Sequence, residues 1–478
     1  MEEIEMEELR TRVVTALKER NAKEVREIFD TIPNIDIADA IREVDDLQEL
    51  MFIFRVVPKD YSGAFFAELP VEQQEIIIKA FSDKELIALL EESFADDIVD
   101  TIEEMPANIV NRILRVAPAD LRKDINQLLN YKDNTAGSVM TTEYIEMREN
   151  VTVKDALKFI RQKGRDAETV YTVFVRDAKR TLVGTINLDD LIFSKDEQEL
   201  EEVMDKDFVT CNVNDDQEEV ANMFKRYDLN AMAVVNDENK IIGIITIDDV
   251  VDIIVEEANE DMAALNQVSK MEDPYLKTPV IKLVWKCIPW LAVLMILQIG
   301  SEFINTAFNS YIKAFGFLAV FSPLILDAGG NSGGQTTTMI VRSLAMDEFE
   351  KGDFKRVVWK ELRVAGLIAL IVGTFAFALT FFEMSVLQIG GSDTALAGIS
   401  NPHLSHLIIG ALVCVSLMVT MIVSRLIGCM LPFFAKKIHI DPAVFCGPFT
   451  TTIVDVVSLL TYYCVWIYVL APIFGVTI

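Results

Sequence analysis

Cysteine and histidine are scarce in this sequence. The 478 residues include 6 Cys and 3 His, with no CxxC pair and no Cys and His group at the spacing of a zinc site. Only Cys211 lies outside the apolar segments, so the thiols are expected to be reduced and packed, as in a cytoplasmic protein. Because no nucleophile and base pair, P-loop or metal-protease signature is present either, we do not expect an enzyme.

Basic residues are few compared with acidic ones, and the deficit is confined to one part of the chain. Residues 281–478 contain 12 Lys and Arg and 11 Asp and Glu, which leaves 32 basic and 63 acidic side chains in residues 1–280. The resulting net charge near −31 in residues 1–280 repels nucleic acid and attracts cations. This composition fits a cation-responsive region, and it fits a merely soluble acidic domain equally well.

Residues 1–130 are predicted to form an all-α domain. Helix breakers or loop-like positions recur every 12 residues, and an apolar stripe occupies each interval; these positions are Pro58, Pro70, Ser82, Phe94, Pro106 and Pro118. One such unit cannot bury a face alone, so the units are expected to stack as a superhelical or solenoid-like array.

Strand and helix patterns alternate twice between residues 131 and 262. Val173–Val175 and Thr181–Ile192 in the first copy correspond to Ala233–Val235 and Lys240–Val251 in the second. A Val-Met pair, at Val139-Met140 and Val203-Met204, begins each copy. These two α/β modules, predicted at 131–201 and 202–262, resemble a tandem pair of CBS domains.

Residues 283–478 are predicted to be a five-helix transmembrane domain, since each span needs roughly 20 apolar residues. The spans are expected at 284–308, 314–341, 364–387, 405–434 and 442–473, after a connecting helix over 263–282. The segment 342–363 carries six Lys and Arg and Lys436 and Lys437 follow the fourth span, whereas the loop 388–404 has no basic residue. The positive-inside rule therefore places the N-terminal domains in the cytoplasm and the C-terminus outside a multi-pass cell membrane protein.

Two of these spans carry polar side chains. In the second, Asp327, Asn331 and Gln335 are four residues apart and share one helical face. Four glycines among residues 329–334 permit close backbone approach, which a bilayer tolerates only against protein or a wet cavity. A packing seam joined by the two amides is the alternative, but packing does not require Asp327.

The fifth span contains Asp441, Thr451, Thr452 and Asp455. A carboxylate at the bilayer centre costs roughly 2.5 to 3.5 kcal/mol on insertion scales, so Asp455 is expected to face a water-filled path or a partner. Oxygen ligands without His or Cys suit a hard cation, and Mg²⁺, which keeps several waters, suits an open ring of carboxylates and hydroxyls. In a two-fold dimer, one Asp455 from each subunit would face the same ion.

The motifs from Pro323 to Gln335 and from Asp441 to Asp455, together with the CBS pair and the acidic helical region, resemble the MgtE family of magnesium channels. The resemblance covers practically the whole chain. It implies a homodimer with a central pore in which Asp455 binds the permeating hydrated Mg²⁺. Members of the family commonly have Asn before the Pro of the last span, where this chain has Gly447.

The resemblance also implies regulatory Mg²⁺ sites among cytoplasmic carboxylates. The matching positions are Asp249, Asp252, Glu257, Glu260, Asp261, Asp216, Glu218, Asp228, Asp96 and Asp100. Like charges on successive turns of a helix repel unless a cation screens them, although a solvated acidic helix is the alternative. Bound Mg²⁺ would favour a compact closed state in which the connecting helix plugs the pore.

The function predicted from these features is Mg²⁺ uptake through a channel that cytoplasmic Mg²⁺ closes. Gly243, Thr246 and Asp190 belong to short motifs with which CBS modules bind adenosine nucleotides, so ATP is a predicted modulator. The main alternative is an ion-coupled secondary transporter of Mg²⁺, Mn²⁺ or Co²⁺, which five spans without an inverted repeat fit poorly. A membrane-tethered nucleotide sensor would leave the polar faces of two spans without a purpose. The expected partners are a second subunit, the lipid bilayer and divalent cations, with no nucleic acid.

Overall fold

The computed structural model of the chain describes residues 3–271, 275–276, 278–346, 348–350, 352–387, 401–470 and 472. Two compact units are present, Met1–Val255 and Glu256–Ile478, and each buries its own apolar core. The boundary falls within one helix, α15 (Ile247–Leu265). The first unit therefore contains the helical and α/β parts, and the second contains the long apolar helices.

Ten helices begin the first unit: α1 Glu3–Lys18, α2 Ala22–Thr31, α3 Asn34–Ile41, α4 Leu47–Val56, α5 Lys59–Ala67, α6 Val71–Ala80, α7 Asp83–Leu90, α8 Ala95–Glu103, α9 Ala107–Val116 and α10 Ala119–Leu128. All six positions of the 12-residue pattern are N-caps, of α5 to α10 in turn. A proline at such a position has no backbone N–H, so the preceding helix cannot continue through it. Ser82 instead forms a capping box with Glu85. Alternate helices pack together, as α4 does with α6 and α5 with α7, which fits the predicted stacked array.

Two three-stranded sheets follow, and they have the same topology. The first has β1 Glu146–Arg148, β2 Thr172–Arg176 and β3 Leu182–Asn187, and the second has β4 Thr210–Asn212, β5 Ala231–Val235 and β6 Ile241–Thr246. In each sheet the first two strands are parallel and the last two antiparallel. The helices of these modules are α11 Val153–Lys163, α12 Leu188–Phe193, α13 Leu200–Val203 and α14 Gln217–Tyr227. The repeat is confirmed, although the three-residue strands β1 and β4 were too short to show a sequence pattern.

The repeated glycines and methionines pack against each other across the two modules. A Cβ added at Gly184 would lie 2.6 Å from the Sδ of Met204, and one at Gly243 would lie 2.6 Å from the Sδ of Met140. Each module's Val-Met pair thus covers the glycine strand of the other module. The close approach explains why both features occur in both copies.

The second unit contains α16 Val280–Leu297, α17 Ile299–Ala307, α18 Asn309–Ala314, α19 Phe317–Ala345, α20 Phe354–Ser385, α21 Pro402–Lys437 and α22 Pro442–Cys464. Within the described residues, four segments are long and apolar enough to cross a membrane: Val280–Ala307, Phe354–Ser385, Pro402–Lys437 and Pro442–Tyr468. The prediction of five spans is not confirmed, because α19 is not among them. It is a helix of 29 residues, but its Asp, Asn, Gln, Gly and Thr residues make it less apolar.

The predicted connecting helix over 263–282 is wrong. Helix α15 ends at Leu265 and α16 begins only at Val280. Gln267 has a φ of +58°, a left-handed value that ends a helix, and Pro279 is the N-cap of α16. Lys351, residues 388–400 and the tail after Leu470 apart from Pro472, on which the orientation prediction partly depends, lie outside the described residues.

Candidate functional site

A polar groove of about 1100 Å³ runs between α19 and α22. Its lining residues are Pro323, Leu326, Asp327, Gly330, Asn331, Gly334, Gln335, Thr338, Met339, Thr451 and Asp455. The spacing of four residues along α19 places Asp327, Asn331 and Gln335 on the groove side, as predicted. In the single chain these three side chains are exposed, whereas Ser332, Gly333, Thr336 and Thr337 on the other side of α19 are buried.

Small residues bring α19 close enough to α22 for Asp455 to join this face. A Cβ added at Gly329 would lie 2.5 Å from the Oγ of Ser458, so only glycine fits there. At the next residue, a Cβ added to Gly330 would lie 3.8 Å from the Oδ1 of Asp455. The groove therefore presents carboxylates from both helices together with amide and hydroxyl oxygens, a donor set that suits a hard, hydrated divalent cation.

Two predicted pore ligands lie outside the groove. Asp441 is the N-cap of α22, where its Oδ1 accepts a hydrogen bond of 2.7 Å from the backbone N–H of Ala443. Thr452 is buried, and its hydroxyl donates to the carbonyl of Pro448 at 3.1 Å. Thr451 and Thr452 are neighbours on a helix and point in different directions, so only Thr451 lines the groove.

Carboxylates also gather in the first unit, where α8 meets the start of α15. Desolvation, followed by repulsion from the neighbouring carboxylates, raises the pKa of Asp97 to about 6 and that of Glu168 to about 7. Desolvation also raises the pKa of Asp249 to about 6, although the hydrogen bond from Thr246 acts in the opposite direction. Desolvation and then repulsion raise the pKa of Asp100 to about 7, although part of this side chain remains accessible to solvent. The carboxylates of this cluster therefore hold protons closer to neutral pH than free carboxylates do.

Asp96 and Glu143 complete this acidic cluster in different ways. The pKa of Asp96 is raised well above its ordinary value, chiefly by burial, and its Oδ1 has no hydrogen-bond partner in the described part of the chain. Glu143 accepts hydrogen bonds from the hydroxyls of Thr141 and Thr142 and from the backbone N–H of Ala95. The raised pKa of Asp96 fits a protonated carboxyl, and no three acid, imidazole or thiol groups among the described residues converge as a metal site.

Of the other predicted regulatory residues, Asp252 adjoins this cluster, where its charge adds to the raised pKa of Asp249, whereas Asp216, Glu218 and Asp228 lie on or at the ends of α14. Asp216 is the N-cap of α14 and accepts from the backbone N–H of Glu218, while Asp228 is the C-cap of the same helix. Asp252 lies on α15 close enough to Glu68 to raise the pKa of that residue, after the larger effect of burial. The two aspartates of α14 therefore cap that helix.

The last three predicted residues belong to the second unit. Burial, then repulsion from Asp441, Glu257 and Glu260, raises the pKa of Asp261 to about 6. Lys270 folds back onto this end of α15, with its Nζ 2.6 Å from Glu256 and 3.4 Å from Glu260. The acidic end of α15 is thus partly neutralised by a side chain of the same unit.

Sequence reasoning missed Asp97, Glu143 and Glu168. Asp97 directly follows Asp96, one of the positions that the resemblance implies, but it is not itself among those positions. Glu168 lies before β2 and Glu143 before β1, in stretches with no periodic pattern. No local signal identifies them, because only the packing of α8 against the CBS modules brings them to Asp249.

The predicted nucleotide residues are only partly brought together. Thr246 lines a cavity of about 370 Å³ with Glu168, Thr169, Tyr171, Asn230, Ile247 and Asp248, and its hydroxyl donates to Asp249. Gly243 packs against Met140 instead, and Asp190 is not among the lining residues.

Comparison with known proteins gives matches along most of the chain. Family models match residues 322–465 as MgtE, a divalent cation transporter, residues 32–134 as the MgtE intracellular N domain, and residues 136–196 and 200–256 as CBS domains. The magnesium transporter MgtE of Thermus thermophilus is 30% identical over 460 residues, which cover 95% of this chain and 97% of that protein. The magnesium transporter MgtE of Enterococcus faecalis is 32% identical over 71% of this chain and 70% of that protein. A crystal structure of the soluble part of a magnesium transporter matches 53% of this chain and 99% of that one, with 27% identity and a TM-score of 0.50.

Proposed function

This chain belongs to the MgtE family of divalent cation transporters, and from that premise we propose that it is a Mg²⁺ channel that cytoplasmic Mg²⁺ closes. The relatives that it matches over most of its length are magnesium transporters rather than enzymes. The observation that carries the proposal is the groove between α19 and α22, in which Asp327 and Asp455 lie with amide and hydroxyl oxygens. Hydrated Mg²⁺ is the substrate that such a wide, oxygen-lined groove would accept.

The proposal includes a homodimer in a cell membrane, with residues 1–280 in the cytoplasm and the C-terminus outside. In one chain the groove is open along one side, because Asp327, Asn331 and Gln335 are exposed there. A second copy related by a two-fold axis would close it and place two Asp455 carboxylates across one path. In this arrangement α19 also crosses the membrane, in addition to the four apolar segments, and its polar face would be turned away from lipid.

The proposed gate is the end of α15. In the second unit, the Nε2 of Gln267 donates a hydrogen bond of 3.1 Å to the carbonyl of Gly447, and Ala264 packs with Ala443 and Cys446 of α22. Cations that neutralise the acidic cluster around Asp97 and Asp249 would remove repulsion at the other end of the same helix. We infer that Mg²⁺ binding there favours the position of α15 against α22, which is the closed state.

The experiment that tests the proposal is current measurement in planar bilayers that contain the purified full chain. Divalent current with single-channel steps, reduced as Mg²⁺ is raised on the cytoplasmic side, is the expected result. Stoichiometric, proton-coupled Mg²⁺, Mn²⁺ or Co²⁺ flux without steps would instead establish the secondary transporter.

The raised pKa values predict an unusual dependence of stability on pH. Between the ordinary pKa near 4 and the raised values of about 6 to 7, the folded cluster holds more protons than the unfolded chain. The free energy of unfolding therefore falls as pH rises through this window. In calorimetry of the full chain with EDTA, the first unit should melt at a lower temperature at about pH 8 than at about pH 5.5. Saturating Mg²⁺ should remove most of the difference, and a melting temperature that rises with pH would contradict the prediction.

Neutralising Asp249 should weaken closure by Mg²⁺. Asp249→Asn keeps the acceptor for Thr246 but removes one charge from the cluster. The cytoplasmic Mg²⁺ concentration that halves the current should rise by about tenfold, which corresponds to ~1.4 kcal/mol of lost binding energy. Asp189→Asn is the matched control, because Asp189 is exposed on α12 and should leave the concentration unchanged. Equal Mg²⁺ sensitivity in both variants would remove Asp249 from the sensor.

ATP as a modulator remains a proposal supported by Thr246 and the cavity that it lines. The acidic Glu168 and Asp248 in that cavity would favour a nucleotide that carries Mg²⁺ over free ATP. A shift of the Mg²⁺ inhibition curve by MgATP that Thr246→Val removes is the expected result.

A further inference from the structure

An ion pair is buried among the apolar helices of the second unit, behind the groove. The Nε of Arg425 on α21 donates a hydrogen bond of 2.6 Å to the Oε1 of Glu361 on α20, and the Nη2 of Arg425 lies 2.6 Å from the same oxygen. Arg425 is 1% exposed and Glu361 is 8% exposed. Neither residue lines the groove, and the transport site described above uses neither of them.

This pair is not needed for stability alone. Removing two charges from water costs several kcal/mol per ion, and apolar residues of similar volume often stabilise a protein as well or better. Charged side chains inside a membrane domain usually have a functional role for the same reason. The relevant question is therefore which neighbouring group the pair holds in place.

The pair reaches α19 through Thr336. The Oγ1 of Thr336 donates to the Oε1 of Glu361 at 3.1 Å, and it also lies 3.3 Å from the carbonyl of Ser332. Thr336 is fully buried and directly follows the groove residue Gln335. The hydrogen bond from Thr336 to Glu361 therefore restrains the rotation of α19 about its axis. It acts at the turn of α19 where Gln335 faces the groove.

The next residue extends the network to α22 and adds a second contact with α21. The hydroxyl of Thr337 lies 3.2 Å from the carbonyl of Gly428 on α21 and 3.2 Å from the Oγ1 of Thr450 on α22. A Cβ added at Gly428 would lie 2.4 Å from the carbonyl oxygen of Gly333, so α19 and α21 are in backbone contact here. Thr450 directly precedes the groove residue Thr451. The buried polar groups thus connect α19, α20, α21 and α22 at one level.

We propose that Arg425, Glu361 and Thr336 form a positioning clamp that fixes the rotation and depth of α19, and thereby the alignment of its polar face with Asp455. The inference rests on the proposed function only for the identity of the cation. The carboxylate of Glu361 is the centre of the clamp, because it accepts from both Arg425 and Thr336. Loss of the clamp changes the identity of no groove side chain, but it lets α19 and α22 turn relative to each other.

The least disruptive test is Thr336→Val, which preserves shape and removes only the hydroxyl. Thr380→Val is the matched control, because Thr380 is also fully buried, lies on α20, and makes no hydrogen bond within the described residues. For Thr336→Val we expect the Mg²⁺ concentration for half-maximal current to rise by about tenfold, with poorer discrimination against Ca²⁺ and an unchanged melting temperature. Thr380→Val should match the wild-type chain in all three measurements.

A second variant tests the ion pair itself, and a second readout does not depend on Mg²⁺. The double variant Glu361→Leu and Arg425→Leu removes both charges together, so that no unpaired charge is buried. Gln335→Cys is introduced into each background, and the rate at which a water-soluble thiol reagent modifies the chain is measured. The rate for the same background without Gln335→Cys is subtracted. We expect the modification rate to change at least several-fold in the clamp variants and to stay constant with Thr380→Val.

The outcomes separate the two hypotheses. If the wild-type chain carries no Mg²⁺ but the clamp variants still alter the modification of Gln335→Cys, the proposed function fails and the clamp stands. If the chain conducts Mg²⁺ and both clamp variants retain the wild-type concentration dependence, selectivity and modification rate, the clamp is overturned.

Discussion

Replacing Asp455 with asparagine is expected to reduce Mg²⁺ current by at least about a hundredfold, because the substitution removes the only carboxylate that α22 contributes to the groove. Asparagine keeps the size and one oxygen of the side chain but not its charge. In a dimer each substitution acts twice, since both subunits face the same path. Hydrated Mg²⁺ would then meet two neutral amides where it had met two anions.

Two residues of the same helix are controls for this result. Asp441→Asn also removes a carboxylate from α22, but from its N-cap, where Asn caps a helix about as well as Asp. Thr452→Val removes a hydroxyl that bonds to its own helix. Both variants should retain current within about twofold of wild type. Near-normal current in Asp455→Asn, or an equal loss in Asp441→Asn, would show that the groove is not the path.

Enlarging Gly447 is expected to abolish closure by cytoplasmic Mg²⁺. A Cβ at this position would lie 2.8 Å from the carbonyl oxygen of Ala264 and 3.2 Å from that of Leu265. Both are backbone atoms, which cannot turn aside as a flexible side chain can. Gly447→Val therefore pushes the end of α15 away from α22 and breaks the contact with Gln267. The current of this variant should persist at Mg²⁺ concentrations at least about tenfold above those that close the wild-type channel.

Comparison with other variants separates this steric effect from a general effect on helices. Gly366→Val adds the same side chain to α20, where nothing lies within 4 Å of the new Cβ, and it should leave closure intact. Gln267→Ala removes only the hydrogen bond to Gly447 and should weaken closure less than Gly447→Val does. Retained Mg²⁺ closure in Gly447→Val would show that contact between α15 and α22 is not the gate. In this chain a residue larger than glycine at position 447 would meet the backbone of Ala264 and Leu265.

Several features of the fold could be predicted from the sequence because they depend on local chemistry. Each of the six positions in the 12-residue pattern begins a helix, with proline at four of them, the capping side chain of Ser82 at one, and Phe94 at the other without a side-chain cap. The repeated strands of the CBS modules followed from their apolar β-branched runs. The groove face of α19 followed from a spacing of four residues, because helical periodicity alone decides which side chains share a side.

The same reasoning failed where one residue's neighbours decide its role. Adjacent Thr451 and Thr452 were both predicted to line the pore, but only the packing of α22 shows that Thr452 faces inward. The connecting helix was predicted across Gln267, whose left-handed backbone the apolar pattern does not reveal.

What the sequence by itself determined is therefore the order of the domains, the helix starts, the sheet repeat and the polar face of α19, since each depends on residues within a few turns of one another. Only the tertiary structure decided that Glu168 joins Asp97 and Asp249, and that Glu361 and Arg425 form a pair behind the groove. These side chains come from distant parts of the chain, and their pKa values and pairing depend on burial and on through-space charge. Burial and charge of this kind arise only after the helices have packed, so no pattern along the chain records them.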